Sequence, residues 1–346
     1  MLLFFLSSGL FLGWSLGAND AANIFGSAVG SRMVKFRTAA IVASIFVILG
    51  ATFQGEGGAV TLSRLGSIDE VAGAFTVALA SALSVFSMVR MKLIVSTSQA
   101  IVGAIIGWNL YAGHSTDMGQ FGRIASAWVA GMILGAVFAI LLYFLVRWIF
   151  DKLKLHLIWK HTVMKIMLIA IGAFGAYSLG ANNIVNVMGV FVNSVDIQPL
   201  NMGFFTLNGT QQLFLIGAIA ISAGIFTYSK NTMKTVGSDL MPLSAETAMV
   251  VVLAHSLVLF IFSSEFISNA IAVFGLGHIP QVPISSTQVV IGAIVGIGLL
   301  KGGRNIKYKV LINIVLGWIV TPVMAGVISY ILLFIVNNTF QLPVCK

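Results

Sequence analysis

Gly17-Ala18-Asn19-Asp20-Ala21-Ala22-Asn23 and Gly180-Ala181-Asn182-Asn183-Ile184-Val185-Asn186, 163 positions apart, are the stretches on which the fold turns. Each sets amides, and in one case a carboxylate, inside a long apolar run. A second pair follows. Val95-Ser96-Thr97-Ser98-Gln99-Ala100-Ile101-Val102-Gly103 is matched by Ile284-Ser285-Ser286-Thr287-Gln288-Val289-Val290-Ile291-Gly292, 189 positions later. The chain therefore reads as an internal duplication. The two offsets differ by 26, so the second half carries that many extra residues between its motifs.

Composition names the solvent. Of 346 residues 58% are hydrophobic and only 8% charged, whereas a soluble domain carries about 25% charged residues. Such a chain cannot cover itself with a charged surface, and the bilayer core is the medium that fits it. The net charge of +9 belongs to basic loops beside the membrane, not to a nucleic-acid partner. One cysteine, Cys345, excludes an intramolecular disulfide or a Cys-built metal site. Residues 1–16 are apolar, lack a basic leader and run straight into the first motif, so they read as a first span and not as a signal peptide.

Apolar units fall at 2–30, 36–55, 71–89, 94–112, 123–148, 163–190, 204–228, 243–263, 282–300 and 308–337. If each crosses once, one side receives 16 of the 19 basic residues, including Arg32, Lys35, Arg37, Arg90, Arg147, Lys160, Lys234 and Lys301. The other side receives Arg64, Arg123 and Lys346. The basic side is cytoplasmic, which places the N-terminus outside. Five units precede the second copy, so it starts on the opposite face, and the copies are related by an axis in the membrane plane. The expected fold is an all-α integral membrane protein of two inverted-topology repeats, about five spanning units each, with discontinuous helices or re-entrant hairpins at the midplane. Residues 1–148 form the first repeat, 149–162 a basic linker at the headgroup level, and 163–346 the second repeat. His156 and His161 in the linker read as solvated, not as metal ligands.

Polar groups in hydrocarbon are costly unless they are paired or line a cavity. A helix broken at the Gly-Ala-Asn stretches would free carbonyls that, with Asn and Asp oxygens, suit a hard cation such as Na⁺. The candidate cation residues are Asn19, Asp20, Asn23, Asn182, Asn183, Asn186 and Glu246. Helix N-termini with hydroxyls suit an oxyanion. The candidate anion residues are Ser96, Thr97, Ser98, Gln99, Ser285, Ser286, Thr287 and Gln288. Of ten acidic residues only Asp20 and Glu246 fall inside apolar units, and Glu246 also reads as a first-turn acid of a helix starting near Ser244. No Lys or Arg lies deep in a span, so an anion would be held by hydroxyls, amides, N–H groups and a co-bound cation. His255 reads as a lone residue, packed or hydrogen-bonded.

These motifs resemble those of the inorganic phosphate transporter family. The resemblance extends through Phe25-Gly26-Ser27-Ala28-Val29-Gly30-Ser31, Lys234-Thr235-Val236-Gly237, Glu246, Pro283-Ile284-Ser285-Ser286-Thr287 and Gly317-Trp318-Ile319-Val320-Thr321-Pro322, and covers nearly the whole chain. It implies an inverted-repeat fold and alternating-access uptake of phosphate through the cell membrane. Na⁺ or H⁺ would move alongside, with no cofactor, and the protein would form a homodimer. Three positions depart from the family's pattern: Asn183 where Asp is usual, and Gln99 and Gln288 where His is usual. Fewer proton acceptors suit sulfate, the ion some relatives carry. The expected function is cation-coupled phosphate transport, with sulfate as the alternative and a passive channel further behind. A membrane enzyme has no catalytic constellation to rest on.

Overall fold

The computed structural model describes residues 2–91, 95–153, 156–201, 203, 206–230, 233, 241, 243–275, 277–303 and 306–345. In chain order the helices are α1 (Leu2–Gly30), α2 (Phe36–Gln54), α3 (Gly57–Leu65), α4 (Val71–Arg90), α5 (Thr97–Ala112), α6 (Met118–Leu153), α7 (Leu157–Met188), α8 (Gly209–Thr227), α9 (Ala245–Ser263), α10 (Glu265–Val273), α11 (Ser286–Leu300) and α12 (Tyr308–Thr339). Among the described residues eight of these, α1, α2, α4, α6, α7, α8, α9 and α12, are long and apolar enough to cross a membrane. Helices satisfy their own backbone, which is what the hydrocarbon core demands. α6 and α12 leave Ile133, Leu141, Phe144, Ile319, Val323 and Phe334 exposed, a surface at home against lipid. α1, α4 and α9 are mostly buried.

The two remaining apolar units are shorter. α5 has 16 residues and α11 has 15. At 1.5 Å per residue each reaches only roughly 24 Å, against a core of about 30 Å. Short non-helical stretches before Thr97 and Ser286 lead into these two helix starts.

The break expected at Gly17 and Gly180 is absent. α1 and α7 run straight through both motifs. The glycines serve close packing instead. A Cβ on Gly17 would overlap the Ile221 carbonyl of α8, and one on Gly180 would overlap the Val47 carbonyl of α2. Small residues of this kind let membrane helices approach backbone to backbone. Gly103 of α5 meets Pro322 of α12 in the same way, and Gly292 of α11 meets Met132 of α6.

Packing follows a rule of exchange. Matching α1, α2, α4, α5 and α6 with α7, α8, α9, α11 and α12 turns one set of neighbours into the other. α1 lies along α8 and α4, and α7 along α2 and α9; α5 lies along α12, and α11 along α6. The extra residues of the second half sit in two places. One is the connection after α7, which carries a short antiparallel pair, Leu200–Asn201 with Thr206–Leu207. The other holds α10, between α9 and α11. The stretch 149–162 is mostly helical: α6 continues to Leu153 and α7 opens at Leu157. The Lys234–Gly237 segment lies outside the described residues.

Candidate functional site

Four segments meet in the interior: the second half of α1, the last turns of α7, and the starts of α5 and α11. Asn19, Asp20, Asn23, Asn182, Asn183, Asn186 and all eight residues of the two hydroxyl motifs are buried. The helix starts are specified locally. The Ser96 side chain accepts from the Gln99 backbone N–H and the Ser285 side chain from that of Gln288, each at 3.3 Å. Such serine caps fix where a helix begins and leave other first-turn N–H groups free.

The side chains form one chain of hydrogen bonds through all four segments. Asn186 Nδ2 donates to Ser98 Oγ (2.8 Å), and Ser98 Oγ to the Ile284 carbonyl (3.1 Å). That carbonyl also accepts from Asn182 Nδ2 (2.9 Å), which in turn donates to Asn183 Oδ1 (2.6 Å). Asn183 Nδ2 donates to Asp20 Oδ2 (3.1 Å), and Asn19 Nδ2 to Asp20 Oδ1 (2.8 Å). Asn19 Nδ2 lies 3.5 Å from the Val95 carbonyl, which accepts from Thr287 Oγ1 at 2.8 Å. The bonds to Ile284 and Val95 are counterparts: each motif's hydroxyl holds the other half's approach segment. The Asp20–Asn183 bond stands at the middle of the chain, between the two Gly-Ala-Asn motifs.

Two electrostatic facts define what this cluster can hold. Asp20 is 2% exposed, and among the described residues no Lys or Arg is buried to pair with it. A buried carboxylate without a counter-charge needs a cation or a proton. Four buried oxygens, Thr97 Oγ1, Gln99 Oε1, Asn186 Oδ1 and Gln288 Oε1, have no hydrogen-bond partner among the described residues. Unpaired buried acceptors are costly, and neutral oxygens together with a carboxylate are the ligand types a hard cation takes. The two helix starts offer the opposite preference, N–H groups and hydroxyls for an anion.

Glu246 does not join them. It lies in the first turn of α9, behind the Ser244 cap, and is ion-paired with Lys160 Nζ at 2.5 Å on a partly exposed surface. The local reading of Ser244 as a helix start holds, and the acid belongs to that end of the helix. One residue reaches the cluster that sequence reasoning left out. His255 Nε2 lies 2.9 Å from Ser286 Oγ, which also accepts from Asn23 Nδ2 at 3.1 Å. The signal was an imidazole in the middle of an otherwise apolar run.

Thr287→Val tests whether the cross-bonds matter. It keeps the shape and removes the donor to Val95. We expect a stability loss of about 1–2 kcal/mol, the usual cost of a buried acceptor left short, read as a lower melting temperature. Uptake by the reconstituted protein should fall roughly tenfold, since 1.4 kcal/mol is a factor of ten.

Comparison with known proteins agrees with this architecture. The phosphate transporter family model matches residues 16–329. A protein of Methanocaldococcus jannaschii, provisionally named a phosphate permease, is 30% identical over 317 residues, 92% of each chain. A sulfate permease of Bacillus subtilis is 28% identical over 328 residues, 93% of this chain and 84% of its own. Among solved structures, one titled the sodium-dependent phosphate transporter superposes with a TM-score of 0.75 at 21% identity, covering 97% of this chain and 98% of that one. The relatives are transporters, not enzymes, and this all-helical, multi-pass chain belongs to the phosphate transporter family.

Proposed function

We propose that the protein is a secondary transporter that carries inorganic phosphate through the cell membrane together with Na⁺, by alternating access. The observation that carries this reading is the hydrogen-bond chain joining both halves through one carboxylate, with four unpartnered buried oxygens on the segments it joins. A proton needs a single acceptor, whereas several oxygens around one carboxylate serve a metal cation, so Na⁺ is favoured over H⁺. Asp20, Asn183, Asn186, Gln99 and Gln288 supply cation oxygens. Ser96, Thr97, Ser98, Ser285, Ser286 and Thr287 receive the anion at the two helix starts, where dipoles contribute about 0.3–2 kcal/mol to an anion. The remaining Asn residues hold these groups in place, and Glu246 is not part of the set.

The site residues are buried, so substrate reaches them only when the halves move. The exchange of neighbours between residues 1–148 and 163–346 supports an inverted pair of repeats, for which two alternately open forms are the natural consequence. The basic-side count supports an N-terminus outside, and the family resemblance supports a homodimer. A second reading, sulfate, draws on Asn183, Gln99 and Gln288, which leave Asp20 the sole carboxylate of the cluster, and on the sulfate permease relative.

Proteoliposomes separate the two. Uptake of labelled phosphate driven by an inward Na⁺ gradient, and unaffected by excess sulfate, is the expected result. Sulfate uptake that phosphate does not compete with would replace the substrate and keep the mechanism. Flux that neither saturates nor responds to a gradient would refute the transporter reading.

A further inference from the structure

We propose that His255 commits the Ser286 hydroxyl to the anion, making the α11 start the more tightly defined half of the seat; this rests on the reading of the two helix starts as the oxyanion site. His255 is fully buried in α9. Its Nε2 and the Asn23 amide converge on one oxygen, Ser286 Oγ, at 2.9 and 3.1 Å.

A hydroxyl has two lone pairs and one proton. With the proton of the ring on Nε2, His255 and Asn23 fill both lone pairs. Any further partner of Ser286 must then be an acceptor, and the hydroxyl proton has only that use. The ring's Nδ1 is in this tautomer a bare acceptor, and it has no partner among the described residues. The opposite tautomer would bury an N–H with no acceptor and spend the Ser286 proton on the ring, so it is the costlier of the two.

The first half has no such device. Thr97 occupies the position that matches Ser286, and its hydroxyl is without a partner among the described residues. The eleventh residue of α9 is His255, and the eleventh of α4 is Ser81. Ser81 donates chiefly to the Val77 carbonyl of its own helix at 2.9 Å, with the Ala100 carbonyl of α5 at 3.5 Å, and has no bond to the Thr97 hydroxyl. The seat is thus asymmetric despite the repeat. A donor fixed in this way reads the lone pairs of an oxyanion and cannot accept from an O–H group. A proton carried by phosphate must point elsewhere in the site, toward Asp20 or the free amide oxygens. The Ser286 contact is the same for phosphate and for sulfate.

His255 is a positioning residue, and its test uses kinetics that separate positioning from folding. The full-length protein in liposomes is assayed with labelled phosphate and labelled sulfate. His255→Leu should raise KM about tenfold for whichever ion the parent carries, with the maximal rate within roughly threefold, as for one hydrogen bond to a charged ligand. Ser286→Ala should do the same, and the double variant should be no worse than either, because both remove one interaction. His255→Gln sets an amide N–H near the Nε2 position and should retain most of the affinity. Should His255→Leu fail to fold, His255→Asn replaces it; its amide stops short of Ser286, so it should lose affinity where Gln does not. Losses that multiply to about a hundredfold in the double variant would overturn the proposal, as would a Gln variant as poor as Leu or Asn. Parent protein that carries neither ion defeats the transporter reading itself. A normal parent with indifferent variants defeats only the role of His255.

Discussion

Asp20→Asn is expected to lower gradient-driven uptake by at least about a hundredfold while the protein still folds. Among the described residues Asp20 is the one acidic residue in the buried polar groups, and it sits where the two halves touch. A unit charge about 4 Å from a cation is worth about 4 kcal/mol at an effective dielectric of 20, which far exceeds the neutral amides around it. The fold has little to lose. Asparagine keeps an oxygen for Asn19 Nδ2, and what disappears is the 3.1 Å bond from Asn183, replaced by two amide N–H groups facing each other. That costs about 1 kcal/mol, set against removal of an unpaired buried charge. The measurement is uptake under a fixed Na⁺ gradient, beside a melting curve of the purified variant. Full gradient-driven uptake would remove Asp20 from the mechanism.

The largest structural effect belongs to Gly17→Leu. α1 and α8 touch backbone to backbone there, and a side chain would have to displace the Ile221 carbonyl. Overpacking a well-filled interior typically costs 1–3 kcal/mol when neighbours can shift. Here the obstacle is main chain of a spanning helix two residues from Asn19, so the cost exceeds that range and the variant should yield no monodisperse protein. Gly180→Leu, which faces Val47 of α2, should behave the same way. Gly122 of α6 has open space around its Cβ position, and Gly122→Ala should leave the melting temperature unchanged or slightly raised, as expected for a helical glycine replaced by alanine. Size-exclusion profiles and melting curves of the three variants decide the matter. A well-folded Gly17→Leu protein would mean that α1 and α8 do not pack as described.

The glycine case also shows where sequence reasoning stops. Gly17 and Gly180 sit beside amides in apolar runs, and a break in the helix and a close approach between helices leave the same trace in a sequence. Only the neighbour distinguishes them, and Ile221 is 204 positions from Gly17. The hydroxyl motifs were legible because their signal is local. Ser96 and Ser285 cap the residue three positions ahead, so helix starts could be placed at the interruptions of the two short units. The paired asparagines were legible as a repeat, although that Asn182 and Ser98 share the Ile284 carbonyl is a tertiary fact. Glu246 was drawn into the site because it lies near an apolar run. Its partner Lys160, 86 positions earlier, keeps it at the helix end. His255 carried no pattern at all, and its meaning comes from Ser286, 31 residues further on.

The claim that one cluster holds both ions is tested most directly by equilibrium binding to the purified protein, with phosphate titrated in Na⁺ and in choline, and Na⁺ titrated with and without phosphate. Linkage requires each ligand to tighten the other by the same factor. The account predicts a factor of at least roughly ten in both directions, vanishing in Asp20→Asn. Phosphate that binds equally well in Na⁺ and in choline would contradict it.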